Sequence, residues 1–474
     1  MMRSMFSGVS GLRAHQLKMD TIGNNIANVN TVGYKSQRAT FQEVFNQTLR
    51  GAGSPQAGKG GTNPQQVGLG ISLSSIDTFH VRGAVQRTDN LTDLAINGDG
   101  FFILSNSEDG LSRSYTRAGN FSLDDDGNLV SANGFKVLGY MVDSNTNVMK
   151  SQLEGIKISK AEMVAAQKTS YLTFEGNLDN SIEKLVDTTV PTFVDDVTGP
   201  PAIPSAISIP TGTKYWETTA TVYDTLGGKH TLKYTFVRGL DETGTIAAAE
   251  DSDWCVFIYD QDKKTYYRGA GTGKTTMDTT TETEVDAPQD FAFHLKFGYD
   301  GLISTADSEN GGKVELTVPS KNGSGDITGL DIDFTKLTQF ANESNAAVTA
   351  SDGYPQGSLD TFSIGPTGEI NGIFTNGMSK IIGQIALAAF KNPAGLEKTA
   401  ENMFQVTPNS GDPIIGLPGF SGLGSLNSGT LEMSNVDISN EFAEMISTQR
   451  GFQANSRIIT TSDEMLQELV NLKR

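Results

Sequence analysis

The chain has 474 residues, a formal net charge of −19, 37% hydrophobic and 19% charged residues, and one cysteine. That length suits about three domains, and so acidic a chain repels phosphate backbones, which argues against nucleic acid as a partner. No stretch approaches the ~20 apolar residues of a membrane span, so no membrane insertion is expected, and Cys255 alone rules out an intrachain disulfide.

The first thirty residues read as a helix. Met5, Leu12, Met19 and Ile26 recur at intervals of seven, Ile22 and Val29 thicken the stripe, and Val9 takes the other seam position. Arg3, Arg13, Gln16, Lys18, Asp20, Asn24 and Asn25 make the remaining face polar. The pattern stops over Asn30-Thr31-Val32-Gly33, where Asn and Gly suit a C-terminal cap. This end lacks the apolar run of about 7–15 residues found in a secretory signal, so export is expected to leave it intact.

Residues 36–70 turn rich in Gly, Gln and Pro and read as a linker with little core of its own. Residues 71–150 alternate in short β-like runs, Ile71–Phe79, Leu94–Leu104 and Phe135–Val142, with hairpin turns at Asp125-Asp126-Gly127-Asn128 and Ala132-Asn133-Gly134. Longer alternating strands fill 175–350, including Glu217–Asp224, Thr231–Arg238, Trp254–Asp260, Thr265–Arg268 and Asp290–Phe297. After Tyr354 the short-run pattern of 71–150 returns in Gly357–Phe374 and Ile381–Phe390, which implies nested insertion of one domain into another.

The last forty residues repeat the opening device. Ile438, Met445, Phe452, Ile459 and Leu466 are spaced by sevens, with Phe442 and Val470 at the intervening seam, and Ser434 with Asp437 resembles a capping box. A strict seven-residue repeat implies left-handed supercoiling against a partner helix. Each apolar anchor contributes about 1.5–3 kcal/mol when buried, so the two stripes together represent roughly 20–40 kcal/mol of gross burial. Two helices alone cover only part of that surface, so the ends are expected to be mobile in a single subunit and to order when neighbours cover them.

Several apparent chemical motifs dissolve on inspection. Gly269-Ala270-Gly271-Thr272-Gly273-Lys274-Thr275 resembles a P-loop, but Arg268 stands where the first Gly is required and no helix pattern follows. Ser122, Asp124, Asp126 and Gly127 match part of a calcium loop, yet Asn133 replaces the closing Glu, so a β-turn is the better reading. His15, His80, His230 and His294 show no metal-ligand spacing with one another or with Cys255. Cys255, between Trp254 and Val256, reads as a small buried side chain, with an intermolecular cross-link as the alternative. Catalytic, cofactor and metal residues are therefore read as none.

Residues 27–35, Ala27-Asn28-Val29-Asn30-Thr31-Val32-Gly33-Tyr34-Lys35, resemble the signature of the bacterial flagellar rod and hook protein family. The blocks Asp93–Phe102, Tyr115–Phe121, Phe390–Leu396 and Gly429–Asp437, then Gln449-Arg450-Gly451-Phe452 and Asp463-Glu464-Met465-Leu466, look like further blocks of that family in the same order. Within the motif, Ala27, Asn28, Asn30, Thr31, Gly33, Tyr34 and Lys35 carry the likeness. The 151–354 middle looks like the outer domain of the hook members.

The resemblance implies a self-assembling tube and not an enzyme. Its fold is expected to be mainly β with paired N- and C-terminal α-helices, nested as a terminal coiled-coil inner domain (1–35 and 434–474), a linker (36–70), a β-rich middle domain (71–150 and 355–433) and an inserted all-β outer domain (151–354). Met5, Val9, Leu12, Met19, Ile22, Ile26, Val29, Ile438, Phe442, Met445, Phe452, Ile459, Leu466 and Val470 are the expected assembly interface. The implied partners are copies of itself, the distal rod protein, the hook–filament junction protein, the hook cap and the flagellar type III export apparatus. The implied place is the extracellular flagellar hook, a bendable joint passing torque from rod to filament. The break at 28–33 and the following linker are expected to let outer domains shift against the inner tube. A distal rod-type protein with an enlarged insertion competes within the class; a secreted enzyme or glycan-binding protein competes from outside it.

Overall fold

The computed structural model describes residues 2–472 apart from 56, 57, 59, 108, 109, 144, 145, 147, 183, 185–191, 196–203, 209–213, 240–252, 263–264, 268–291, 307 and 319–322. The P-loop-like run 269–275 and the strand ends at Arg268 and Asp290 lie outside the described residues. The chain is mainly β with one long helix at each end, and it divides into two compact units. One holds residues 1–160, 359–373 and 379–474; the other holds 161–358 and 374–378.

Helix α1 (Met2–Ala27) opens the first unit and helix α2 (Ile438–Asn471) closes it. Asp437 precedes α2 in extended backbone, and its carboxylate accepts from Ser439 N at 2.9 Å and Asn440 N at 3.3 Å, two orphan donors of the first turn. The cap is therefore Asp437 itself and not Ser434, which stands three residues too early to reach those amides.

Between the helices, strands from both arms of the unit share one sheet. Lys136–Met141 pairs with Phe101–Ser105 on one side and Ser379–Ile385 on the other, and Arg113–Thr116 links Phe101–Ser105 to Met403–Gln405. The apolar runs of Leu94–Asn97 and Phe101–Ser105 are buried on both faces, which is why they read as continuous rather than alternating. Both predicted hairpin turns form: Gly127 and Gly134 sit at φ +83 and +80, where only glycine is unstrained. Asp124 spends its carboxylate on Asn128, accepting from its backbone N at 2.6 Å and its Nδ2 at 2.7 Å.

The described residues of 36–70, expected as a linker with little core of its own, contribute to two antiparallel ribbons. Gln37–Glu43 pairs with Ile71–Thr78, and Asn46–Arg50 pairs with Gln65–Gly68. Backbone pairing needs no apolar core, so a Gly- and Gln-rich stretch forms ribbons without one. The lack of core itself is evident, since every residue of the second ribbon is exposed.

The second unit is built around one apolar core shared by two sheets. The first sheet runs in the order Lys313–Val318, Ile327–Phe340, Tyr171–Asp179, Ala347–Ser351; the second runs Trp216–Tyr223, Lys229–Arg238, Asp253–Asp260, Thr265–Tyr266, with Ala292–Lys296 also on Asp253–Asp260. Phe174, Ile332 and Phe334 of the first meet Val222, Tyr234, Phe236 and Ile258 of the second, all fully buried. Tyr171–Asp179 and Ile327–Phe340 pair in parallel, and Asp352 accepts from Ser170 N at 2.8 Å, so the unit's first and last long strands are fastened together at its root.

Candidate assembly interface

α1 and α2 lie antiparallel against each other. Gly8 faces Ile459, Gly11 faces Asn455, His15 faces Gly451, Lys18 pairs with Glu444 at 3.1 Å, and Asn25 donates to Glu441 at 3.0 Å. A methyl group added at Gly11 would fall 2.6 Å from Asn455 Nδ2, and one at Gly451 2.7 Å from His15 Cε1. The seam is thus made by small and polar residues that let the backbones approach, not by the sevens alone.

The sevens lie beside that seam. Ile22 is buried; Met5, Leu12, Met19, Ile26, Val29, Met445, Phe452, Ile459 and Leu466 are half-buried; Val9, Ile438, Phe442 and Val470 are exposed. The second seam position on α2 is held by Glu441, Thr448, Asn455 and Ser462, one residue before the Phe442 and Val470 pattern. Further apolar side chains absent from the expected set point outward: Phe6, Ile446, Ile458, Met465 and Leu472, the last at 81% exposure. A signal for Phe6, Ile446 and Met465 exists in the doublets Met5-Phe6, Met445-Ile446 and Met465-Leu466, where one member is half-buried and the other exposed; in Ile458-Ile459 both side chains approach Gly8. Apolar side chains on both helices are thus left exposed by the chain itself.

The family-like motif serves a different purpose. At the end of α1, Asn28 Nδ2 donates to Asn24 O at 2.9 Å and Thr31 Oγ1 to Asn28 Oδ1 at 3.1 Å, closing the turn, while Ala27 and Asn30 stay exposed. Gly33 follows at φ +67, its N donating to Glu432 O at 2.8 Å; a Cβ there would lie 2.6 Å from Ala118 N. Tyr34 is buried, its hydroxyl donating to Asn25 Oδ1 at 3.2 Å beneath the Lys398 ammonium, 4.1 Å from the ring centroid. Burial pushes the Tyr34 phenol up from its usual value.

Lys35 completes a buried ion cluster that sequence spacing does not reveal. Its Nζ donates to Glu432 Oε1 at 2.6 Å and Val81 O at 2.9 Å, and Arg117 donates to Glu432 Oε2 at 3.3 Å and Gly98 O at 2.8 Å. Gly83 N adds a bond to Glu432 Oε1 at 2.9 Å. Lys35, Arg117 and Glu432 are 1%, 3% and 0% exposed. Burial pulls both cations below their usual values, and the Glu432 carboxylate opposes that shift in each. Three family-like blocks, 27–35, 115–121 and 429–437, thereby meet at one carboxylate. The neck at 28–33 makes these contacts within the first unit.

His80 sits against this cluster, with the Phe101 and Phe404 rings 5.6 and 5.4 Å away. Burial, then the nearby charges of Lys35 and Arg117, push its imidazole down to about 4. The unfolded chain therefore binds the proton first, so stability is full above about pH 6.5 and is lost as pH falls towards 4. The expected effect is about 3 kcal/mol, seen as a shift of urea midpoint by helical circular dichroism; His80→Phe flattens that slope, and an unchanged slope would refute the assignment.

Among the described residues, no group of three His, Cys, Asp or Glu side chains is placed to hold a metal ion, and no helix is long and apolar enough to cross a membrane. Cys255 is fully buried, its Sγ 3.2 Å from His294 Nδ1 across paired strands, a proximity hidden by their separation in sequence.

A chain whose two ends pair as helices on a β body that carries an inserted β unit has the architecture the resemblance implied for the axial class of structural proteins. Family descriptions match in chain order: flagella basal body rod protein over 5–35, flagellar hook protein FlgE/F/G D1 domain over 95–219, flagellar basal body protein FlaE D2 domain over 194–354, and flagellar basal body rod FlgEFG protein C-terminal over 427–472. The chain is 36% identical to the flagellar hook protein FlgE of Borreliella burgdorferi and 37% identical to that of Treponema pallidum, each comparison covering 100% of both chains. The flagellar basal-body rod protein FlgG of Bacillus subtilis is 28% identical, again over 100% of both. The chain belongs to the flagellar hook protein FlgE family.

Proposed function

We propose that this chain is the structural subunit of a flagellar hook, polymerising with copies of itself into a flexible tube that passes torque from rod to filament. The observation that carries this reading is the set of apolar side chains that the α1/α2 pair leaves exposed, on a chain similar to hook proteins along its whole length. The fourteen stripe residues from Met5 to Val470, together with Phe6, Ile446, Ile458, Met465 and Leu472, are the contact set between subunits. The helix pair forms the inner wall, the 71–150 and 355–433 body the middle layer, and 151–354 the outer layer. The distal rod protein, the hook–filament junction protein, the hook cap and the type III export apparatus are the partners that accompany this role, and the flagellum outside the cell is its place.

Each outward apolar side chain contributes about 1.5–3 kcal/mol on burial. Ile446→Asp with Met465→Asp, both at exposed positions, is therefore expected to raise the critical concentration for polymerisation by more than a hundredfold while leaving helical circular dichroism unchanged. Tubes forming at the parent concentration would sink the reading. Identity to the hook relatives exceeds identity to the rod relative, which favours hook over rod; straight, stiff polymers in electron micrographs would reverse that preference. Removing residues 180–350 is expected to change tube curvature and bending stiffness, and unchanged mechanics would deny the outer layer its part.

A further inference from the structure

The charge of the chain is divided unevenly between its two units. Residues 161–358 hold 30 Asp and Glu against 14 Lys and Arg, a formal −16 of the total −19, while the first unit is close to balanced. Asp300, Glu315 and Asp331 are among the exposed carboxylates of the second unit. Two copies that brought these units face to face would set like charges against each other, and the cost grows as water is excluded. The counterpart that suits the second unit is therefore a basic surface.

The first unit presents one at a cavity of about 440 Å³. Lys136, Lys150 and Lys157 line it together with the apolar Leu138, Met141 and Val142. Asp143 and Glu154 line it too, so the cations outnumber the carboxylates three to two. Lys150 is paired with Glu154 at 2.9 Å, whereas Lys136 and Lys157 take part in no ion pair among the described residues. Their backbone is well placed. Lys136 opens the strand Lys136–Met141 and lays its stem across Gly155, where an added methyl would fall 3.2 Å from its Cδ. Lys157 forms a backbone bridge with Asn128. A carboxylate entering between the two ammonium groups would lie beside apolar side chains, where their attraction is stronger than in open water.

We infer that this cavity is a docking site for the acidic second unit of a neighbouring copy, whose carboxylates Lys136 and Lys157 bind. The inference rests on the assembly reading and adds to it a contact made away from the helices. One patch meets a different patch, so the contact is heterologous and repeats along a tube instead of closing a pair.

The test grows polymers from an equal mixture of isotopically light and heavy full-length chains. A carbodiimide then joins amines to carboxylates that touch, and mass spectrometry maps the joined peptides. The expected products link Lys136 or Lys157 of one isotope to an Asp or Glu within 161–358 of the other. Links of a single isotope alone would place the contact within one chain and overturn the inference. Mixed links to acids of 1–160 or 359–474 also overturn it, as does the absence of links at both lysines. Lys136→Glu with Lys157→Glu is expected to raise the critical concentration about tenfold, and Lys136→Arg with Lys157→Arg to leave it near the parent value. Equal critical concentrations for the Glu and Arg variants would count against the charge pairing. A parent chain that forms no tubes sinks the assembly reading and this inference with it, whereas tubes without the expected links sink the inference alone.

Discussion

Replacing Glu432 by alanine is expected to destabilise the first unit by about 3–5 kcal/mol, the usual consequence of removing one member of a buried ion pair. The side chain is fully buried and bonds Lys35, Arg117 and Gly83 N at once. Without it two cations remain in an apolar setting beside His80, with no carboxylate to oppose their desolvation. The loss should be read by helical circular dichroism, since both long helices belong to this unit, and not by tryptophan emission, since Trp216 and Trp254 both lie in the other. The triple replacement Lys35→Met, Arg117→Met, Glu432→Leu removes all three charges together and is expected to recover much of the stability. A single Glu432→Ala that shifts the helical transition by less than about 1 kcal/mol would mean that water already solvates the cluster.

That cluster shows where sequence reading ended. The sevens of α1 and α2 were legible because helical periodicity is local, and the buried strands Leu94–Asn97 and Phe101–Ser105 because apolar runs are. The seam was not, because Gly8, Gly11 and Gly451 act through what they lack, and a period count gives such residues no weight. The ion cluster joins Lys35, Arg117 and Glu432, each ordinary in its own neighbourhood; only the fold reveals that they share one site. The family-like motif gave no sign of the packing around it, because Asn and Gly are also the residues of flexible breaks. Gly33 instead allows a close approach to Ala118 that any side chain would block.

The same locality governs the inserted unit, where Phe174→Ala is expected to cost about 3–5 kcal/mol. Phe174 is fully buried between the two sheets, with ring centroids 4.7 Å from Tyr234, 4.9 Å from Phe334 and 6.2 Å from Phe236. Truncation leaves a cavity walled by three other large aromatic side chains, which cannot collapse without leaving their own packed positions. Tyr171–Asp179 also carries the parallel pairing with Ile327–Phe340, so loosening this strand weakens the fastening of the unit's root. Both tryptophans report on this unit: Trp254 lies in the shared core, and Trp216 packs against it with its Nε1 donating to Ala346 O at 2.8 Å. The transition followed by tryptophan emission is therefore expected to move to lower urea by the full amount, while the helical transition moves by less. Equal displacement of both would show the chain unfolding as one cooperative body. A displacement below about 1 kcal/mol in the emission transition would show that Phe174 is not the centre of this core.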